Sequence, residues 1–157
     1  MSNNASVAEG RVHQFTTHSG ADTIEVGRKL AALLTPPQLL LLQGDLGTGK
    51  TTLVKGIAQA LDAADPDEVT SPTFTLIHEY KGERHGKPIK LFHLDVYRLE
   101  GERQLETLGL DELLTDDALV LVEWGEKFPS IKKRATGEIL ITSTGGDDRK
   151  ITVTLKE

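Results

Sequence analysis

The chain predicts an α/β fold: one P-loop NTPase-like domain whose mixed central β-sheet is flanked by helices and closed by a C-terminal β-hairpin. Three features predict it. Gln38-Leu39-Leu40-Leu41-Leu42-Gln43 is a short apolar run that leads into Gly44-Asp45-Leu46-Gly47-Thr48-Gly49-Lys50-Thr51. Leu53, Val54, Ile57, Ala58 and Leu61 then recur at helical spacing, completing a strand, glycine-rich loop and helix. A second run, Ala118-Leu119-Val120-Leu121-Val122, is apolar throughout, as strands covered on both faces are.

The elements follow in order. Residues 1–12 are mostly small or polar and read as a disordered tail before a domain at 13–157. Asp22 to Leu34 reads as a helix with Ile24, Gly27, Leu30, Ala31 and Leu34 on one side. Ser19 or Asp22 caps its start, and Thr35-Pro36-Pro37 ends it. After the loop and second helix, Thr73 to Tyr80 alternates as a strand, with Phe74, Leu76, His78 and Tyr80 on one face. Gly82 to Pro88 is a polar turn, Pro88 to Leu99 returns as a strand ending near Asp95, and Leu105 to Leu114 forms a short helix. Glu138 to Thr142 and Lys150 to Leu155 alternate around Gly145-Gly146-Asp147-Asp148, the pattern of a hairpin.

Composition narrows the function classes. The 157 residues suit one domain with a real core. No cysteine is present, which removes disulfides and thiolate metal sites. No stretch reads as a secretory signal or a membrane span, so a cytoplasmic protein is expected. The net charge of −6 argues against an extensive surface for DNA or RNA. Lys132-Lys133-Arg134 reads as a solvated loop. His78, His85 and His93 lack the tight spacing of a zinc site.

The motif G-x-x-x-x-G-K-[ST] carries the chemistry. Glycines let backbone N–H groups close around phosphate oxygens, Lys50 reaches the β and γ phosphates, and the Thr51 hydroxyl ligates Mg²⁺. Nucleotide contacts are expected from Gly44, Asp45, Leu46, Gly47, Thr48, Gly49, Lys50, Thr51 and Thr52. Hydrolysis also needs a carboxylate near the metal and a group that positions water. In open α/β sheets those groups stand at the carboxyl ends of strands. Glu123, ending the second apolar run, is the candidate for the metal side. In His93-Leu94-Asp95-Val96-Tyr97-Arg98, alternation places His93 and Asp95 on one face, opposite Leu94 and Val96. There Asp95 either orients water, joins the Mg²⁺ shell, or makes a structural ion pair with a neighbour such as Arg98. The hydroxyl-bearing Thr70-Ser71-Pro72-Thr73-Phe74 segment either closes on the γ-phosphate or is a turn before a strand. Trp124 either packs near the nucleotide or fills core.

Together, the phosphate loop, Ser71-Pro72-Thr73-Phe74, His93-Leu94-Asp95-Val96-Tyr97-Arg98-Leu99 and Val122-Glu123-Trp124 resemble the bacterial TsaE family, also called YjeE. The likeness runs in order from about Asp22 to the C-terminal hairpin. Thr48 stands where the family often has Ala, and Gly125 where it often has Pro. The resemblance implies an ATPase, with ATP and Mg²⁺ as cofactors, needed for threonylcarbamoyladenosine formation on tRNAs that read codons beginning with A. It implies no transfer of the carbamoyl group by this chain. The implied partners are a TsaD-type transferase and a TsaB-type companion, with tRNA contacted only through them. It assigns Lys50 and Thr51 to phosphate and Mg²⁺, Glu123 to the metal, and Asp95 to hydrolysis. It also places Thr73 in a mobile, switch-like segment and Trp124 near the nucleotide.

The same loop serves other chemistries. A small-molecule kinase needs an acceptor pocket and an arginine-rich lid, whereas Arg84, Arg98 and Arg103 are dispersed. A non-hydrolytic adaptor has no use for Asp95. No Asn-Lys-x-Asp guanine motif is present, which disfavours a GTPase.

Overall fold

The structure is a computed structural model and describes residues 10–45, 47–72 and 76–156. Seven strands form one sheet in the order β1-β7-β6-β2-β5-β4-β3. They are β1 (Gly10–Thr17), β2 (Gln38–Gln43), β3 (Ile77–Arg84), β4 (Lys87–Asp95), β5 (Ala118–Glu123), β6 (Gly137–Gly145) and β7 (Asp148–Lys156). β6, β2, β5 and β4 run parallel, and antiparallel partners flank them: β3 beyond β4, and β7 with β1 beyond β6. The mixed α/β architecture read from the sequence is therefore present.

The apolar runs are divided between two cores by strand alternation. Leu40, Leu42, Leu119 and Leu121 face α1 (Gly20–Leu33) and α2 (Lys50–Ala60), meeting Leu30, Leu53 and Ile57. Leu39, Leu41, Val120 and Val122 face the other way, under Leu105, Leu110 and Ile131. Those residues come from α3 (Glu102–Glu106), α4 (Leu110–Leu113) and α5 (Pro129–Arg134). Each such buried aliphatic side chain contributes roughly 1.5–3 kcal/mol, so both faces hold the central strands. α1 and α2 cross at Gly27 and Gly56. A Cβ at Gly56 would overlap the Ile24 carbonyl oxygen, and one at Gly27 that of Leu53.

Several expectations shift. β1 begins at Gly10, so Gly10, Arg11 and Val12, assigned to a tail, pair with Lys156, Leu155 and Thr154 of β7. β1 itself was not foreseen. Ser19 caps α1 by accepting from the Asp22 N–H at 3.1 Å. Thr73, Phe74 and Thr75 lie outside the described residues; β3 is described from Ile77 and continues through Arg84 into what was read as a turn. The single helix at Leu105 to Leu114 is two, broken at Gly109, whose φ of 75° is left-handed. Lys132, Lys133 and Arg134 sit on α5 rather than in a loop, where they are exposed and face the negative end of its dipole. Among the described residues, no helix is long and apolar enough to cross a membrane.

Candidate functional site

β2, β5 and β4 are adjacent and parallel, so their carboxyl ends open onto one crevice. The phosphate loop leaves β2 there and enters α2. Gly44, Gly47 and Gly49 have φ of 156°, 81° and 110°, a left-handed region that other residues adopt only with strain. A Cβ at Gly44 would come within 2.7 Å of Thr48 Oγ1 and 2.8 Å of the Ile141 carbonyl oxygen. The Thr48 N–H and hydroxyl both donate to the Asp45 carbonyl, at 3.1 and 2.7 Å, closing the loop's turn. Gly49 occupies the N-cap of α2, so the helix's positive end is presented at the loop.

A cavity of about 460 Å³ lies against this end of the sheet. Gly47, Lys50, Thr51, Ser71, Asp95, Glu123 and Trp124 all line it, so seven of the residues singled out from the sequence converge. Gly44 contributes through its carbonyl, which accepts from Lys50 Nζ at 2.8 Å. Asp45, Thr48 and Gly49 shape the loop, Thr52 follows in the first turn of α2, and Leu46 lies outside the described residues.

Lys50 Nζ also meets Glu123 Oε1 at 3.2 Å. The other carboxylate oxygen, Oε2, lies 2.6 Å from His93 Nε2. This contact arises because β4 and β5 pair in register, Asp95 beside Glu123 and His93 beside Leu121. Leu94 and Val96 pack into the opposite core, as alternation requires. Glu123 and His93 are buried, His93 completely. Burial pushes the Glu123 carboxyl up, but the hydrogen bond and attraction of His93, with the Lys50 ammonium, hold it below its ordinary value. The carboxylate is thus kept ionised. Asp95 is buried as well, and its Oδ1 accepts from the Tyr97 N–H at 2.9 Å. That bond fixes the carboxylate's orientation.

Trp124 follows in a left-handed conformation, φ 66°. It is 38% exposed, and its ring lies 4.9 Å from that of Tyr97 at a tilt of 53°, with Lys50 Nζ 5.7 Å from its centroid. It therefore forms a wall of the cavity instead of filling core. Sequence reasoning missed Tyr97 as the other aromatic wall and His93 as the partner of Glu123. It also missed Arg149, whose Nε donates to the Thr48 carbonyl at 2.8 Å. Alternation placed His93 on the Asp95 face, which was the available signal for it. Nothing local marked Arg149 for the site, since the loop carbonyls it meets, those of Thr48 and Gly47, lie about a hundred residues away in the chain.

A family model described as "Threonylcarbamoyl adenosine biosynthesis protein TsaE" matches residues 17–151. The chain is 38% identical over 141 residues to a tRNA threonylcarbamoyladenosine biosynthesis protein TsaE of Bacillus subtilis, covering 90% of this chain and 84% of that protein. This chain belongs to the TsaE family. A TsaE protein of Treponema pallidum is 36% identical over 137 residues, covering 87% of this chain and 96% of its own length. Among solved structures, Bacillus subtilis YdiB superposes with a TM-score of 0.66 at 31% identity, over 94% of this chain and 88% of that one. The TsaE match spans every residue that lines the cavity.

Proposed function

We propose that this chain is a Mg²⁺-dependent ATPase that supports threonylcarbamoyladenosine formation on tRNA. In this reading it acts on a complex of a TsaD-type transferase and a TsaB-type companion and does not transfer the group itself. The observation that carries the reading is the meeting of Lys50, Thr51, Asp95 and Glu123 in one cavity beside a glycine-built loop. The names of the TsaE relatives support the biosynthetic role.

The residues fit their cofactors. Left-handed glycines and a helix N-terminus suit a polyphosphate. The Thr51 hydroxyl and Glu123 carboxylate are hard oxygen donors of the kind Mg²⁺ prefers. When bound, Mg²⁺ neutralises charge on the phosphates. Lys50 exchanges the Gly44 carbonyl and Glu123 for phosphate oxygens, while His93 continues to hold Glu123. Asp95, fixed by the Tyr97 N–H, orients the water whose oxygen attacks the γ-phosphorus. The bond from that phosphorus to the bridging oxygen breaks, ADP leaves, and the water's proton passes to Asp95 or to the released phosphate.

Phosphate release from ATP, measured for the protein alone and with TsaB and TsaD proteins, tests this. Slow release alone, a clear increase with the partners, and loss in Lys50→Ala and Asp95→Ala are expected. Normal hydrolysis by Asp95→Ala in the complex would overturn the role of Asp95. Phosphate transfer seen only with an added small acceptor would establish a kinase instead.

A further inference from the structure

We infer that Arg149 is a positioning residue that holds the phosphate loop's backbone in its anion-binding conformation from the side away from the cavity. The inference rests on the nucleotide-binding reading above. Arg149 is the second residue of β7, half-buried and paired with Thr17 and Ser143, beside the loop. Its Nε donates to the Thr48 carbonyl at 2.8 Å, and Nη2 reaches the Gly47 carbonyl at 3.4 Å. Nη1 donates to the Gly146 and Asp148 carbonyls at 2.7 and 2.9 Å and reaches Ser143 Oγ at 3.4 Å. One rigid guanidinium fork therefore ties the loop to the β6–β7 hairpin.

The consequence follows from peptide planarity. In a trans peptide the C=O and the next N–H point in opposite directions. Turning the Thr48 carbonyl toward Arg149 directs the Gly49 N–H away from it. The Gly47–Thr48 peptide is held separately, by the bond from the Thr48 N–H to the Asp45 carbonyl. An anion-binding loop needs its N–H groups gathered and its carbonyls turned out. The Thr48–Gly49 peptide adjoins a glycine with left-handed φ, where backbone rotation meets little steric resistance. Without an external hold, a flipped peptide would present a carbonyl oxygen to the phosphates. Arg149 supplies that hold.

The test is ADP affinity in the presence of Mg²⁺, read from the fluorescence of Trp124, the chain's single tryptophan. It is combined with amide hydrogen exchange at residues 47–51. Arg149→Ala is expected to weaken ADP binding roughly tenfold, as loss of hydrogen bonds from a charged donor implies. Exchange should accelerate at 47–51 while the central strands stay protected. Arg149→Lys keeps the charge but lacks the fork, so it should show most of the same loss; it also serves if the alanine variant does not fold. Lys150→Ala removes a neighbouring positive charge and should leave affinity unchanged. Wild-type affinity in both Arg149 variants, or equal weakening by Lys150→Ala, would overturn the inference. If the wild type binds no ADP, the nucleotide reading fails. The clamp then stands or falls on whether Arg149→Ala speeds exchange at 47–51.

Discussion

The two ends of the sheet carry depressions of opposite character. At the amino ends of β4 and β5, Thr35, Pro36, Arg84, Lys87, Ile89 and Asp117 surround about 840 Å³; the cavity at the carboxyl ends encloses about 460 Å³. Arg84 donates to the Ala31 and Leu34 carbonyls, closing the last turn of α1. The Asp117 carboxyl is held low chiefly by the Thr115 hydroxyl. At the smaller cavity the carboxylates of Glu123 and Asp95 are buried, and the half-buried Lys50 ammonium touches Glu123 beside the open space. Volume does not mark the site. Buried charge beside a space that a ligand can enter does.

Three substitutions or conditions sharpen or break that contrast. The largest effect is expected from Glu123→Gln, which keeps the shape and an acceptor for His93 but removes the negative charge. Phosphate release by the partner complex should fall roughly a hundredfold, and an unchanged rate would show that charge at this end is structural. Arg84→Ala should do the converse. It frees two helix-end carbonyls, costing about 2 kcal/mol, or roughly 5 °C in Tm, with phosphate release per folded molecule unaltered. A loss of activity matching that of Glu123→Gln would erase the distinction between the ends.

The smallest effect is in acid. Because the folded Glu123 carboxyl titrates below its ordinary value of 4.5, the unfolded chain binds more protons in that range and stability rises with pH. Glu123's contribution is therefore complete above about pH 5 and lost as the pH falls through its folded value. Unfolding midpoints measured between about pH 3 and 5 should drop more steeply for the wild type than for Glu123→Gln. Parallel curves would mean that the His93 and Lys50 contacts do not favour the ionised form.

How much of this was legible depended on how locally each element is determined. β2, the phosphate loop, α2 and β5 were readable because continuous apolar runs and glycine spacing are short-range signals. β1 was not, because Val12 points out of the sheet while Phe15 packs against the core, leaving no apolar alternation. Only pairing with β7, at the other end of the chain, makes it a strand. α5 was read as a loop since six residues with one buried apolar side chain, Ile131, carry too little periodicity. Within the site, Lys50, Glu123 and Asp95 were identified by motif and strand-end position. Their contacts were not, because the His93–Glu123 and Arg149–Thr48 bonds depend on register between strands and loops far apart in sequence.

The placement of β2 also bears on the order in which the molecule is completed. Leu40 pairs with Leu121 on one side and Gly137 on the other. The loop-bearing strand is thus among the first parts synthesised, yet both of its neighbours come from the last third of the chain. Closing such long chain loops is slow compared with forming local helices. A nascent chain shorter than about 140 residues lacks part of the platform that aims Lys50, however well α2 has formed. On the proposed reading, nucleotide binding is a property of the finished domain alone, and its onset during synthesis would report that β6 has docked.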